Sequence, residues 1–229
     1  MWSKLQKLWQ KLRQIWSPPS GTRSRSKAIR PQFQRTGSTP TQPYLHRRGT
    51  GPQQQRVQAS TEQTTPKKQK AWTKKQRIRL AVEKKILASK APGFHFYEHT
   101  RADKTYVAGP VKTSDGHKYE LKVLLGPKFP DEMPSLLLTS PDKATKYGGG
   151  LIVDEGLSHR FHSRGEGTGG HLELCHCDES TWDPHRTILS ILLKGAIWCE
   201  AHCRHLKSGI NIAKYCEELK DQVPDLNDY

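Results

Sequence analysis

Two cysteines, Cys175 and Cys177, flank His176 in the stretch His-Leu-Glu-Leu-Cys-His-Cys-Asp-Glu-Ser-Thr-Trp-Asp-Pro that runs from His171 to Pro184. A cysteine sulfur can act here in two ways. As a thiolate it is a strong nucleophile, and with imidazoles it is a soft metal ligand. The local pattern favours a thiol held at a surface. Leu172 and Leu174 alternate with Glu173 as a brief extended segment, and Cys175 emerges where that alternation stops. Trp182 can cover the segment with a large apolar face, and Pro184 presets the backbone for a turn into the next helix. Of the two sulfurs, Cys175 follows the Leu-x-Leu segment directly, which makes it the candidate nucleophile. Cys177 is then a neighbour able to resolve an oxidised Cys175.

Zinc is the competing use. Cys199 and Cys203 share a helix face at i,i+4 and could join Cys175 and Cys177, with His171, His176, His185, His202 and His205 nearby in sequence. Neither cysteine pair has the common C-x-x-C spacing. Burial as small apolar side chains is the plainer fate of Cys199 and Cys203.

The elements that must position these residues occupy the last two thirds of the chain. Up to Arg79 there are 19 basic residues against one acid, Glu62; from Leu80 onward there are 19 against 21. The net charge of +16 therefore belongs to the first third of the chain, and the part able to fold is close to neutral. Nucleic acid is an improbable partner for that part, although the basic tail can still meet acidic ones. The five cysteines all fall in the last quarter, an odd number with no signal-peptide pattern ahead of them, so a reducing, cytoplasmic compartment is expected. No run of about 18 apolar residues is present, so no membrane span is expected.

In order, Trp2, Leu5, Trp9, Leu12 and Trp16 recur every three or four positions among Ser, Lys, Gln and Arg. They predict an amphipathic helix over 1–16. Such a helix suits an anionic membrane surface or a partner's groove, and also fits an organelle transit peptide. Residues 17–70 are Pro, Gly, Ser, Thr, Gln and Arg, a basic linker too poor in apolar residues to fold. A domain is expected over 71–229. Trp72, Ile78, Ala81, Val82, Ile86 and Leu87 predict the buried side of a helix that ends at Pro92-Gly93. Four strands follow, at 94–99, 104–112, 119–125 and 135–139. Ser114-Asp115-Gly116 is a hairpin turn between the second and third, and the proline-bracketed loop Phe129 to Pro134 precedes the fourth. The Gly- and His-rich run after Pro141 is read as an irregular flap. Helices are expected from Thr187 to His205 and from Ile210 to Lys220, giving an α+β domain with a four-stranded antiparallel meander.

From Trp72 to Leu219 the chain resembles the ubiquitin-conjugating enzymes. The matching residues are Gly109-Pro110, the strand from Tyr119 to Leu125, Phe129-Pro130 with Met133-Pro134, Leu174-Cys175, and Trp182-x-Pro184 with Thr187-Ile188. The run from Trp198 to Gly209 is most similar to divergent prokaryotic members of the family. The resemblance implies the ubiquitin-conjugating-enzyme fold. It also implies that Cys175 accepts a ubiquitin-like modifier from an activating enzyme as a thioester and passes it to an amine on a target protein, without a cofactor. It further assigns the loop from Phe129 to Pro134 to a ligase and the basic start of the first helix (Lys74, Lys75, Arg77) to the activating enzyme. The family's His-Pro-Asn before the cysteine has no counterpart here. His171, His162 or backbone N–H groups of the glycine-rich run are left as donors to the tetrahedral oxygen. Two alternatives stand beside this reading: a catalytically inactive, ubiquitin-binding variant of the fold, and a zinc-stabilised adaptor whose basic tail binds nucleic acid.

Overall fold

The computed structural model of the chain describes residues 71–220. The amphipathic helix expected over 1–16, the linker over 17–70 and the last residues, 221–229, lie outside the described residues. Among the described residues no helix is long and apolar enough to cross a membrane.

Thr73 and Gln76 start the first helix as a capping box. The Thr73 hydroxyl accepts the Gln76 N–H at 3.2 Å, and the Gln76 carbonyl oxygen accepts the Thr73 N–H at 3.0 Å. Two donors that a helix start leaves open are thereby satisfied. Helix α1 spans Lys74–Lys90 and ends at Ala91, just before Pro92-Gly93 as the sequence predicts. Its buried side is the predicted one only in part: Trp72 and Leu87 are buried and Ile86 packs on the core, but Ile78, Ala81 and Val82 are exposed. Leu80, Glu83 and Leu87 face the core, while Ile78 and Val82 remain 60% and 47% exposed. At roughly 100° per residue, Ile78 and Val82 sit across the helix from Leu80 and Leu87. The true stripe is broken in sequence by Glu83, whose carboxylate is met by Arg79 one turn away and by the Ile188 N–H far along the chain.

Strands β1 (His95–Tyr97), β2 (Tyr106–Lys112), β3 (Lys118–Leu124) and β4 (Ser135–Ser140) form the expected meander. The 112–118 turn closes with Gly116 at φ 85°, donating its N–H to the Thr113 carbonyl at 2.9 Å. Gly109 fits β2 because a Cβ there would lie 2.5 Å from the Gly93 carbonyl oxygen. Pro110 lies beyond the reach of β1, which pairs only as far as Ala108, so its missing N–H costs no bond on that side.

A four-stranded sheet is nevertheless not what forms. Strands β5 (Leu157–Ser158), β6 (Ser163–Glu166) and β7 (Leu172–Leu174) extend it to seven antiparallel strands in the order β1-β2-β3-β4-β7-β6-β5. The stretch read as an irregular flap therefore contributes two strands. β4 explains why the sheet continues: Leu136, Leu137 and Leu138 are all buried, so both of its faces are covered.

Helices α2 (Ile188–Ser208) and α3 (Ile212–Lys220) close the domain near the predicted positions. Thr187 caps α2 through its hydroxyl and the Ser190 N–H at 3.2 Å, and Gly209 ends it in the left-handed conformation at φ 73°. α2 packs on β3 and β4. The approach is close enough that a Cβ on Gly195 would meet a Leu121 methyl at 2.6 Å. Polar side chains on α2 also anchor the stretch between β4 and β7. Trp198 donates to the Phe161 carbonyl at 2.8 Å, and His202 Nε2 donates to the Thr145 carbonyl at 2.9 Å. His205 Nε2 accepts the Tyr147 N–H at 3.1 Å while its Nδ1 donates to the Ile210 carbonyl at 2.7 Å.

Candidate active site

β7 is three residues long, and its alternation sends Leu172 and Leu174 into the core. The next backbone N–H, that of Cys175, donates to the His162 carbonyl at 2.9 Å, which continues the pairing one step past the strand. His162 makes this possible from a left-handed backbone at φ 47°. A non-glycine residue held there is uncommon, and such residues concentrate at functional sites. The Cys175 thiol is half-buried, and its S–H points to the Cys177 carbonyl at a weak 3.8 Å.

His176 fixes the turn that follows. Its ring is buried, with Nε2 2.8 Å from the Pro134 carbonyl and its plane edge-on to Trp182 at 6.0 Å between centroids. A carbonyl can only accept, so Nε2 carries the proton and Nδ1 presents its lone pair to the Cys177 sulfur at 3.5 Å. Burial pushes the His176 imidazole down to about 4, so the ring is neutral near pH 7. The His176 carbonyl accepts the Lys194 ammonium at 2.8 Å, and the Cys177 carbonyl accepts Arg164 at 3.0 Å. Burial also raises the Cys177 thiol, whose sulfur sits 3.3 Å from Met133 Sδ. Burial thus works against ionisation of the Cys177 thiol.

Two further ties hold the loop. Trp182 donates its indole N–H to the Pro130 carbonyl at 2.8 Å, joining the cysteine loop to the proline loop. From α1, Arg79 donates to the carbonyls of Pro184 at 2.8 Å, His185 at 3.3 Å and Arg186 at 2.6 Å. The same guanidinium pairs with Glu83 at 2.8 Å, and the second Glu83 oxygen accepts the Ile188 N–H at 3.0 Å. A carboxylate from α1 therefore caps the first turn of α2.

Cys175 opens on a cleft of about 330 Å³ that His162, His159, Arg186, Lys194 and Cys216 also line. Of the residues singled out from sequence, Cys175, His176, Cys177 and His162 line this cleft. His171 does not line the cleft. It stands before β7, with Nδ1 3.4 Å from an Asp142 carboxylate oxygen. Four residues of extended chain place it about 13 Å from Cys175, since a strand rises roughly 3.3 Å per residue.

None of the five cysteines is in a disulfide. Cys199 and Cys203 lie in the core, where burial raises the Cys199 thiol and Cys203 contacts the Tyr119 hydroxyl at 3.2 Å. Among the described residues no group of three or more His, Cys, Asp or Glu side chains converges to hold a metal ion, so the four cysteines weighed for zinc are not brought together. Lys194 and Arg186 were not singled out from sequence. Lys194 has a signal there, as the lone charge in the apolar run from Ile188 to Cys199. Arg186 has none beyond adjoining the helix start. No family model and no curated protein matches the chain.

Proposed function

We propose that the chain is a conjugating enzyme of a ubiquitin-like pathway, built on a variant of the ubiquitin-conjugating-enzyme fold. One observation carries this reading: the Cys175 thiol sits at the end of a short strand, half-buried and open to a cleft, while Cys177, which lines the same cleft, has its sulfur 3.3 Å from Met133 Sδ, and Cys199, Cys203 and Cys216 are buried. Support also comes from the order helix, meander, proline-bracketed loop, cysteine and closing helices.

In the first step the Cys175 sulfur attacks the thioester carbonyl joining the modifier's C-terminus to a cysteine of the activating enzyme. A new C–S bond forms, the old one breaks, and the departing thiolate takes up the proton that Cys175 gave up. In the second step an amine attacks the Cys175 thioester. A C–N bond forms, Cys175 leaves as thiolate, and the amine's surplus proton passes to it or to solvent. His162 lines the cleft and is the imidazole assigned to meet the tetrahedral oxygen or to relay that proton. The loop from Phe129 to Pro134 is assigned to a ligase or acceptor. The exposed Lys74, Lys75 and Arg77 on α1 are assigned to the activating enzyme.

Incubation with activating enzyme, ATP and modifier tests the proposal. The chain is expected to gain the mass of the modifier in an adduct removed by reductant. Cys175→Ser is expected to hold it as a reductant-resistant ester and Cys175→Ala not at all. Uptake by Cys175→Ala equal to that of wild type would refute the assignment.

A further inference from the structure

The cleft beside Cys175 carries an excess of positive charge, two cations against one carboxylate in its lining. Arg186 lines it from the approach to α2 and Lys194 from the second turn of that helix. Asp178, exposed, is the one carboxylate among the described lining residues. Arg164 adds a third cation at its edge, 3.0 Å from the Cys177 carbonyl. Lys194 donates to the His176 carbonyl at 2.8 Å, which holds the ammonium at the cleft. His159 and His162 line the same cleft. Behind burial, and for His176 also behind its hydrogen bond to the Pro134 carbonyl, Lys194, Arg164 and Arg186 act on both His176 and Cys177, the two residues that follow Cys175.

We propose that this cleft selects by charge: the segment lying along Arg186 and Lys194 when an acyl donor reaches Cys175 is acidic. Under the conjugation reading, on which the identity of the donor rests, the modifier's tail carries aspartate or glutamate shortly before its terminal glycine. A basic tail would meet like charge within a few ångströms, in a partly enclosed site where screening is weaker than in bulk water.

The full-length chain tests this with two sets of probes at pH 7.5. The first is three disulfides: dianionic dithiobis-nitrobenzoate, neutral dithiodipyridine and dicationic cystamine. Their rates at Cys175 are read by peptide mass mapping and normalised to the same rates on a small neutral thiol. The expected order is dianionic, neutral, dicationic, with about tenfold between the extremes at low salt and less than about twofold in molar salt. Arg186→Gln and Lys194→Gln are each expected to lower the dianionic rate about threefold. Equal normalised rates, or the reverse order, would overturn the proposal on unmutated protein, whatever the variants do.

The second set is glycyl peptide thioesters of N-acetylcysteamine with Asp, Ser or Lys before the terminal glycine. The aspartyl donor is expected to acylate Cys175 fastest. If the disulfides follow the charge order while no thioester acylates Cys175, the charged cleft stands and the conjugation reading fails. If all three thioesters acylate at one rate and the disulfides show no order, the conjugation reading survives and the acidic-segment proposal is wrong.

Discussion

Substituting Arg79 by methionine is predicted to damage the fold more than neutralising its partner Glu83. Burial raises the Glu83 carboxyl above its usual range even though Arg79 lies at 2.8 Å and the Ile188 N–H at 3.0 Å, both of which oppose the shift. Desolvation therefore outweighs the ion pair, and the charge on Glu83 is a net cost at neutral pH that Arg79 keeps bearable. Arg79→Met strands a fully buried carboxylate and releases three carbonyls at 184–186, which should cost about 3–5 kcal/mol. Glu83→Gln keeps an oxygen for the Ile188 N–H and drops the charge, at a cost of about 1 kcal/mol or less. The double variant should then recover about 2 kcal/mol of the Arg79→Met loss. For a urea slope of roughly 2 kcal/mol/M, Arg79→Met should unfold about 1.5–2.5 M earlier than wild type, with the double variant about 1 M above it.

A pH series adds a second readout. A carboxyl whose folded pKa is raised contributes stability below its unfolded value of 4.5, and that contribution is lost as pH rises through the folded pKa. The gap between Arg79→Met and wild type should therefore narrow as the medium is acidified. Equal midpoints for Arg79→Met and the double variant, or a Glu83→Gln loss as large as that of Arg79→Met, would refute the reasoning.

Burial holds His176 and His202 at about 4 in the fold against 6.5 ordinarily, so between those values the unfolded chain binds protons that the native state refuses. Stability is therefore complete above pH 6.5 and falls on acidification by about 1.4 kcal/mol per pH step for each ring. An NMR titration showing either imidazole protonating near 6.5 rejects the claim. Gly195→Ala is expected to destabilise by about 1 kcal/mol, because the clash with Leu121 and Leu136 exceeds the gain in helix propensity. An unchanged urea midpoint counts against such close docking of α2. Iodoacetamide on native protein should label Cys175 ahead of Cys177 and leave Cys199 and Cys203 untouched until unfolding, and early labelling of Cys199 contradicts its burial.

The meander, the hairpin turn and the last two helices were legible because each carries its own period and punctuation. Tyr119 to Leu124 alternates, and Thr187 and Gly209 bracket α2. β6 was not legible. Ser-Arg-Gly-Glu has no apolar alternation, and its order comes from pairing with β7 and from the side chains of Trp198, His202 and His205 that hold the preceding stretch. The run Leu136-Leu137-Leu138 was the available hint, since an edge strand rarely buries three successive leucines. The face of α1 was partly misjudged for a related reason: a glutamate reads as solvated until its arginine and a helix start over 100 residues later are brought to it. Cys175 was legible as a strand-end thiol. His171 and His162 looked equivalent in sequence, and the direction of β7 is what separates them.

The longest helix among the described residues, α2, has the positive pole of its backbone dipole already engaged by Glu83, a side chain from another helix. An anion arriving from outside finds that pole screened, so the backbone end that often cradles negative groups has no role to offer here. Any negative charge admitted next to the Cys175 sulfur must be met by side chains, which substitution and ionic strength can retune one at a time without disturbing the scaffold.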